Sequence, residues 1–343
     1  MSLYATGLYY NNKGDDRMLS LPEIKKKQIV FVLAYEGDKF SFSNDNIIVK
    51  DKEGVIKHQS TCYKLFMVII AGNISITSGI LQRAKRFGFS ICLMTRTMKV
   101  YQIINASGEG NTLLRKHQYE YFGLELGKHI TINKMNNQIK ALKQTRARTI
   151  FDAETKNNIL SYIDRIRDVD AINEIMGYEG AAARIYFERM FSNVAWNGRQ
   201  PRVKSDFVNS TLDIGYNILF NYMDALLTTF GFDTYYGVLH RCFYRRKSLV
   251  CDLVEPFRPL IDLSVRKGIN LNQICENDFE IINHKYVISW KKSPKYVSIL
   301  MAPIVKNKSA IFSYIQKYYR AFMKQSDVDS FPEYDLEALN DYS

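Results

Sequence analysis

The sequence lacks the features by which secreted, membrane-spanning and zinc-binding chains are recognised. Its five cysteines are odd in number and include no Cys-x-x-Cys pair, so neither a disulfide framework nor a structural zinc site is expected. No apolar run approaches the roughly 20 residues that span a bilayer, and Leu65–Ala71 has only the length of a core strand. The polar start of the chain has no signal-peptide layout. We therefore predict a cytoplasmic protein without a membrane partner.

The sequence motifs of several large enzyme classes are also missing. There is no Walker-type glycine loop, no Gly-x-Ser-x-Gly nucleophile elbow and no His-Glu-x-x-His zinc motif. The 23 tyrosines raise the hypothesis of a covalent tyrosine recombinase, but the arginine and histidine constellation that would activate such a tyrosine is not identifiable. The hydrolysis of nucleotides, serine-based hydrolysis and zinc proteolysis are therefore not predicted.

Acidic residues are scarce outside the C-terminal end. The chain carries 47 Lys and Arg against 35 Asp and Glu, which gives a formal charge of +12. Six of the acids stand in the last eighteen residues, so residues 1–325, with 29 acids, carry +18. The basic residues are scattered through folded segments and are not gathered on one amphipathic helix. This distribution favours nucleic acid over a membrane surface as the partner.

Proline is missing between Pro22 and Pro201, and after residue 112 apolar residues recur every three or four positions, which predicts helices. Before residue 105, β-branched and aromatic runs separated by Gly, Asp and Asn predict strands. One of these runs fits a strand or a short buried helix equally well, namely Tyr63–Ile69. The other predicted strands are Gln28–Tyr35, Asn46–Lys50, Gly54–Lys57, Phe89–Met94 and Lys99–Ile104.

These patterns predict an α+β protein in which a mostly-β domain precedes a larger helical domain. The predicted parts are an N-terminal extension (1–20), a β-rich domain (21–105), a polar linker (106–112), a helical domain (113–325) and a solvated or disordered acidic tail (326–343). The predicted helices are Gly79–Phe87, Leu113–Leu126, Ile130–Gln144, Asp152–Arg167, Asp170–Asn197 and Ile311–Phe322, with a long apolar segment at Leu212–Phe230 and a further stretch at about 247–267.

Two carboxylates, Asp252 and Glu255, lie three positions apart, which on a helix places them on one face. Acids in basic surroundings suit a divalent cation that acts on a phosphate backbone. A buried helix whose acids pair with arginines explains the same pattern equally well. The basic residues beside this pair are Arg241, Arg245, Arg246, Lys247 and Arg258.

Two further residues have a setting that suggests chemistry. Glu179 lies among Gly177, Gly180 and three alanines, where either another helix or a phosphodiester could approach closely, and helix packing alone leaves the carboxylate unexplained. His240 shares a segment with the two carboxylates. A single histidine is most often structural, but an imidazole can complete an acid-rich metal site.

The three elements together, Gly-x-Glu179-Gly-x-Ala-Ala, Leu-His240 and Asp252-Leu-x-Glu255-Pro-Phe-Arg-Pro, occur in this order. They resemble the CRISPR-associated spacer-acquisition integrase/endonuclease family, the large subunit of the CRISPR adaptation complex. The resemblance covers roughly residues 21–325 and includes Gly72–Thr77 and Gly231–Asp233. It implies a β-sandwich-like N-terminal domain, an all-α catalytic domain, and a homodimer or higher assembly.

The resemblance also implies a site. Glu179, His240 and Glu255 would hold Mg²⁺ or Mn²⁺, with Asp252 as a supporting acid. The choice between Asp252 and Glu255 as the direct ligand stays open, and we prefer Glu255. The predicted contacts to DNA phosphates are Arg184, Arg241, Arg245, Arg246 and Arg258.

The implied reaction is the insertion of short foreign DNA into a CRISPR array, in which a 3′-hydroxyl attacks a phosphodiester at the edge of a repeat. The implied partners are double-stranded DNA, as spacer precursor and as repeat, and a small dimeric adaptation subunit. Two alternatives remain at this point. One is a DNA-binding or architectural protein without catalysis, and the other is a stand-alone metallonuclease for branched DNA.

Overall fold

A computed structural model describes residues 19–106, 111–145, 152–240 and 245–337. The chain divides into two compact units, one running to Lys116 and including Asn221–Asp233, the other formed by His117–Phe220 and the chain from Thr234 onward. The first unit is rich in strands and the second is mostly helical, which confirms the predicted fold class. Most of the predicted N-terminal extension and linker lies outside the described residues.

The described strands are β1 (Gln28–Ala34), β2 (Lys39–Ser43), β3 (Asn46–Lys50), β4 (Ile56–Thr61), β5 (Leu65–Gly72), β6 (Ser90–Met94), β7 (Val100–Ile104), β8 (Phe279–Ile282) and β9 (Lys285–Ile288). The described helices are α1 (Leu21–Lys26), α2 (Ser78–Phe87), α3 (Thr112–Glu120), α4 (Glu125–Lys143), α5 (Ala153–Asp168), α6 (Ile172–Met190), α7 (Phe207–Phe230), α8 (Ser248–Val254), α9 (Arg258–Asn270) and α10 (Ser293–Lys324). None of the helices in the described ranges is long and apolar enough to cross a membrane.

Two sheets form the first unit. The larger has the order β1-β5-β6-β7, in which β1, β5 and β6 run parallel and β7 is antiparallel, and the smaller is the antiparallel meander β2-β3-β4. Every residue of the central strand β5 is buried, as expected for a strand covered on both faces. Phe40 and Ile47 of the smaller sheet join Val68 of the larger sheet and Ile80 of α2 in one apolar core.

The second unit depends on α10, which is much longer than the predicted Ile311–Phe322. The helix begins at Ser293 and continues through Pro303. A proline inside a helix has no N–H for the carbonyl four residues before it, which normally ends the helix there. Here the Ser264 hydroxyl from α9 donates to that carbonyl, Ile299 O, at 2.9 Å. The prediction was too short because this replacement donor comes from another helix.

The described part of the C-terminal acidic tail, which ends at residue 337, is packed against the helical unit. Phe331, Tyr334 and Leu336 are buried. The Asn133 side chain of α4 donates to Tyr334 O at 2.9 Å and accepts from Tyr334 N at 3.0 Å. The prediction of a solvated or disordered tail is therefore wrong for this segment, because its apolar residues alternate with the acids and face the helices.

Asn137, one turn further along α4, connects three parts of the second unit. Its amide donates to Pro256 O at 3.2 Å and to Tyr334 O at 2.8 Å, and its carbonyl accepts from Leu336 N at 3.0 Å. The side chain is fully buried. The tail, α4 and the turn between α8 and α9 are thus held by one residue.

A second polar centre ties α6, α7 and α9 together. The buried carboxylate of Asp262 accepts hydrogen bonds from the hydroxyls of Tyr186, at 2.8 Å, and Tyr216. Burial raises the pKa of Asp262 to about 6, although the two tyrosine hydroxyls act in the opposite direction.

We expect Asn137→Ala to lower the free energy of unfolding by about 2–4 kcal/mol, because it removes the side-chain hydrogen bonds to Pro256 O and Leu336 N and one of the two amide donors to Tyr334 O. Urea denaturation measures the change. Asn136→Ala is the matched control on the same helix, where the side chain is only half-buried, and it should cost less than about 1 kcal/mol. Equal losses for the two variants would show that the three contacts of Asn137 are not important for stability.

Asp262 should make stability depend on pH. Its folded-state pKa of about 6 lies above its ordinary value of 3.8, so the fold binds this proton more tightly than the unfolded chain does. The protonated carboxyl of Asp262 contributes fully to the free energy of unfolding below about pH 4. This contribution, about 3 kcal/mol, is lost as pH rises through about 6. The stability of Asp262→Asn relative to the wild type should therefore rise across this window. The exposed Asp164→Asn should show no such trend, and a flat difference for Asp262→Asn would contradict the assignment.

Candidate active site

Glu255 lies at the junction of α8 and α9, in a single 3₁₀ turn that contains Pro256. Its side chain is only 10% exposed, and each carboxylate oxygen faces a cation. Arg258 Nε lies 3.0 Å from Oε1, and Lys134 Nζ lies 2.5 Å from Oε2. Burial acts to raise the pKa of Glu255, but Arg258 and Lys134 more than offset this and lower it to about 2. The carboxylate is therefore ionised at neutral pH.

Lys134, on α4, joins Glu255 to Glu179 on α6. Its ammonium also forms an ion pair with Glu179 Oε1, so that it lies between the two carboxylates. The Lys134 side chain is 12% exposed and that of Glu179 is 27% exposed. Burial works to lower the pKa of Lys134, but the two carboxylates overcome this and leave it above its usual value.

The helix that carries Glu179 has open space at its two neighbouring glycines. A Cβ added at Gly177 or Gly180 would meet no other atom within 4 Å, and Gly180 is exposed. The close helix packing that would explain these glycines structurally is therefore not present at either position. Both glycines lie on other faces of α6 than Glu179, whose own side chain is 27% exposed.

Asp252 performs a different task from Glu255. It is fully buried at the end of α8, where its carboxylate accepts hydrogen bonds from Val238 N at 2.7 Å, Leu239 N at 3.1 Å and His240 N at 3.0 Å. Gly237 allows this loop to approach, because a Cβ there would lie 2.6 Å from Asp252 Oδ2. The carboxylate thus holds the whole 237–240 loop against α8.

The same carboxylate orients the ring of His240. The distance between His240 Nδ1 and Asp252 Oδ1 is 2.6 Å, and because a carboxylate accepts, Nδ1 donates. This contact assigns the Nδ1–H tautomer and leaves the lone pair of Nε2 available. Asp252 and Glu255, which were predicted to lie on one helix face, therefore have different tasks. Asp252 orients the His240 ring, whereas Glu255 pairs with Lys134 and Arg258.

The arginines predicted to contact DNA lie in different surroundings. Arg258 pairs with Glu255, and its guanidinium lies 4.6 Å from the centre of the Tyr216 ring. Arg184 and Arg245 are exposed, and Arg246 is half-buried. Arg241 lies outside the described residues. Contacts between these arginines and DNA stay predictions.

Lys134 is the site residue that sequence reasoning missed. A usable signal was present, because Leu126, Ile130, Lys134 and Ala141 fall on one stripe of α4 at helical spacing. A lysine in an apolar stripe needs an acidic partner when that stripe is buried. The identity of the partners, however, depends on helices that lie far away in sequence.

Among the described residues, no group of three His, Cys, Asp or Glu side chains is arranged so that it could hold a metal ion. The ammonium of Lys134 lies between the two carboxylates that were predicted as ligands. Glu179 and Glu255 therefore share one cation from the protein itself, and together with His240 they do not form a metal-holding group in this arrangement.

Comparisons with known proteins agree with this architecture. The family model for CRISPR associated protein Cas1 matches residues 31–300. A "CRISPR-associated endonuclease Cas1 1" from Pyrobaculum aerophilum is 28% identical over 242 residues, which are 67% of this chain and 78% of the relative.

Two solved structures share the fold. A casposase bound to its integration product covers 90% of this chain and 95% of its own, with a TM-score of 0.77 at 19% identity. A Cas6-RT-Cas1–Cas2 complex also reaches a TM-score of 0.77, at 21% identity over 95% of this chain and 37% of the other. With the family model matched over most of its length, this chain belongs to the CRISPR-associated Cas1 protein family.

Proposed function

We propose that this chain is a metal-dependent DNA integrase that inserts short DNA duplexes into a CRISPR array by transesterification. The observation that carries the proposal is the convergence of Glu179 and Glu255, from separate helices, on one position. Support also comes from relatives named Cas1 endonucleases and from a structural neighbour described as a casposase bound to an integration product.

The donor types fit Mg²⁺ or Mn²⁺, which take carboxylate oxygens and, for Mn²⁺, imidazole nitrogen. Glu179, Glu255 and Nε2 of His240 would hold the ion. Glu255 Oε2 is buried and makes an ion pair with Lys134 but no directed hydrogen bond, so a metal ion at this oxygen would take the place of the ammonium. When bound, the ion would polarise the phosphodiester and favour loss of the proton from the attacking hydroxyl.

The surrounding residues have defined tasks in this scheme. Asp252 holds the His240 ring in the tautomer that presents Nε2. Arg258, packed on the Tyr216 ring, keeps Oε1 of Glu255 occupied and directs Oε2 toward the site.

The reaction conserves the number of phosphodiester bonds. The 3′-oxygen of the incoming duplex forms a bond to phosphorus, the bond to the 3′-oxygen of the repeat strand breaks, and that oxygen takes up a proton. No nucleotide cofactor is needed for this exchange. The +18 charge of residues 1–325 favours binding of both duplexes.

The assembly is also part of the proposal. Cas1–Cas2 complexes among the structural neighbours support a homodimer or higher assembly with a small dimeric partner subunit. Arg184, Arg241, Arg245 and Arg246 are proposed phosphate contacts.

Glu179→Gln, His240→Gln and Glu255→Gln should each reduce strand joining to background, because each removes a proposed metal ligand. The assay incubates the purified chain with Mn²⁺, a 3′-hydroxyl duplex and a supercoiled plasmid that carries the repeat, and separates the products on a gel. Chelation with EDTA should have the same effect. Duplex binding should survive in all three variants, since the charge that binds DNA lies elsewhere.

Glu188→Gln is the matched control, because Glu188 is an exposed acid on the same helix as Glu179. Joining lengthens a strand, whereas cleavage only shortens one, so shortened products alone would favour the stand-alone nuclease. Binding without any metal-dependent product would favour the architectural protein. Normal joining by all three variants would contradict the site assignment.

Asp252→Asn should lower the joining rate and the affinity for Mn²⁺ by about 10–100-fold, the usual effect of removing a residue that orients a metal ligand. The asparagine keeps the shape but places an NH₂ against backbone donors. Mn²⁺ titration separates this from general destabilisation, because a merely structural defect would lower the melting temperature without a matching loss of affinity. Asp164→Asn, at an exposed position, serves as the control, and unchanged Mn²⁺ affinity in Asp252→Asn would contradict the orienting role.

A further inference from the structure

Lys134 places a positive charge between two shielded carboxylates. Its ammonium contacts Oε1 of Glu179 and Oε2 of Glu255, and none of the three side chains is more than 27% exposed. Two carboxylates in a poorly hydrated position repel each other strongly, because water screens their charges weakly there. The ammonium between them offsets this repulsion, and Arg258 adds a second positive charge on the far oxygen of Glu255.

The two cations on Glu255 differ in how firmly they are held. The guanidinium of Arg258 is placed on the Tyr216 ring and contacts Oε1, three residues along the same chain segment. The ammonium of Lys134 ends a flexible four-carbon stem and reaches Oε2 from another helix. Of the two, Lys134 is therefore the cation that can leave.

Helix α4 cannot move as a whole to withdraw the Lys134 ammonium. Asn133 and Asn137, on either side of Lys134, bind the backbone of the tail, and Asn137 also binds the Pro256 carbonyl next to Glu255. The backbone of α4 is thus fixed to the turn that carries Glu255. Any withdrawal of the ammonium must occur through rotation of the side chain.

A divalent cation shared by Glu179 and Glu255 would need the same two oxygens that Lys134 contacts. No three His, Cys, Asp or Glu side chains in the described part of the chain are arranged to hold a metal ion, so loading the site requires a rearrangement of side chains. We propose that Lys134 is a built-in counter-cation that holds Glu179 and Glu255 together in the metal-free protein and exchanges with the divalent cation when the site is loaded. This proposal rests on the proposed metal-dependent function.

The test is a titration of the full chain with Mn²⁺ in the absence of DNA, followed by electron paramagnetic resonance of the free ion. Lys134→Met removes the charge and keeps the length of the side chain. Without its competitor the ion should bind tighter, by roughly tenfold, within the usual range for coupled binding events. The melting temperature in EDTA should fall relative to the wild type, and saturating Mn²⁺ should restore most of the loss.

Lys134→Arg gives a prediction in the opposite direction. A guanidinium stays charged and pairs with carboxylates through two parallel hydrogen bonds, so it should be displaced less easily and weaken Mn²⁺ binding. This variant also keeps the proposal testable if Lys134→Met does not fold. Lys140→Met is the matched control, since Lys140 lies on the same helix and pairs with Asp335 instead, at 2.8 Å.

Tighter binding for Lys134→Met with weaker binding for Lys134→Arg would support the exchange. Unchanged or weaker binding for Lys134→Met, or a change in the same direction for both variants, would overturn it. Failure of the proposed function gives a different pattern, because Glu179→Gln and Glu255→Gln would then leave Mn²⁺ binding unaltered.

Discussion

The ionised carboxylate of Glu255, buried between two cations, is the interaction on which the arrangement of the helical unit depends. A carboxylate left without partners in this position would cost several kcal/mol, so the helices that supply its partners must lie close to it. Lys134 requires α4 on one side, and Arg258 requires the start of α9 on the other. Because Lys134 also contacts Glu179, the same requirement brings α6 to the site. The site and the packing of these helices are therefore linked through Lys134.

The two acids of one motif, Asp252 and Glu255, contact different parts of the protein. The 3₁₀ turn at Pro256 separates the end of α8 from the start of α9. Asp252 faces the 237–240 loop, where three backbone N–H groups and the His240 ring use its oxygens. Glu255 faces α4 and α6. Because the helix geometry changes over three residues, Asp252 orients His240 while Glu255 pairs with Lys134 and Arg258.

Elements were predicted correctly from the sequence where the interactions that form them join residues close together along the chain. Strand β3 matches its prediction, since a β-branched run between turn residues needs no distant partner. Helix α5 agrees closely with the predicted Asp152–Arg167, and Asp152 caps it by accepting from Thr155 N at 2.6 Å. Strand β2 was missed although Phe40 and Phe42 alternate with serines. The extent of α10 and the packing of the tail could not be predicted, because the Ser264 hydroxyl and the Asn137 amide that donate to them come from other helices.

The order of a strand-rich and a helical region could be predicted from the sequence, and so could the family and the candidate ligands Glu179, His240 and Glu255, because these depend on residue types and their spacing. The tertiary structure was needed to show that Lys134, 45 residues from Glu179, is the common partner of Glu179 and Glu255. It also decided that Asp252 holds the His240 ring and that Arg258 is committed to Glu255. The physical reason is that charge pairing in a buried site depends on distances across helices, which spacing along the chain does not encode.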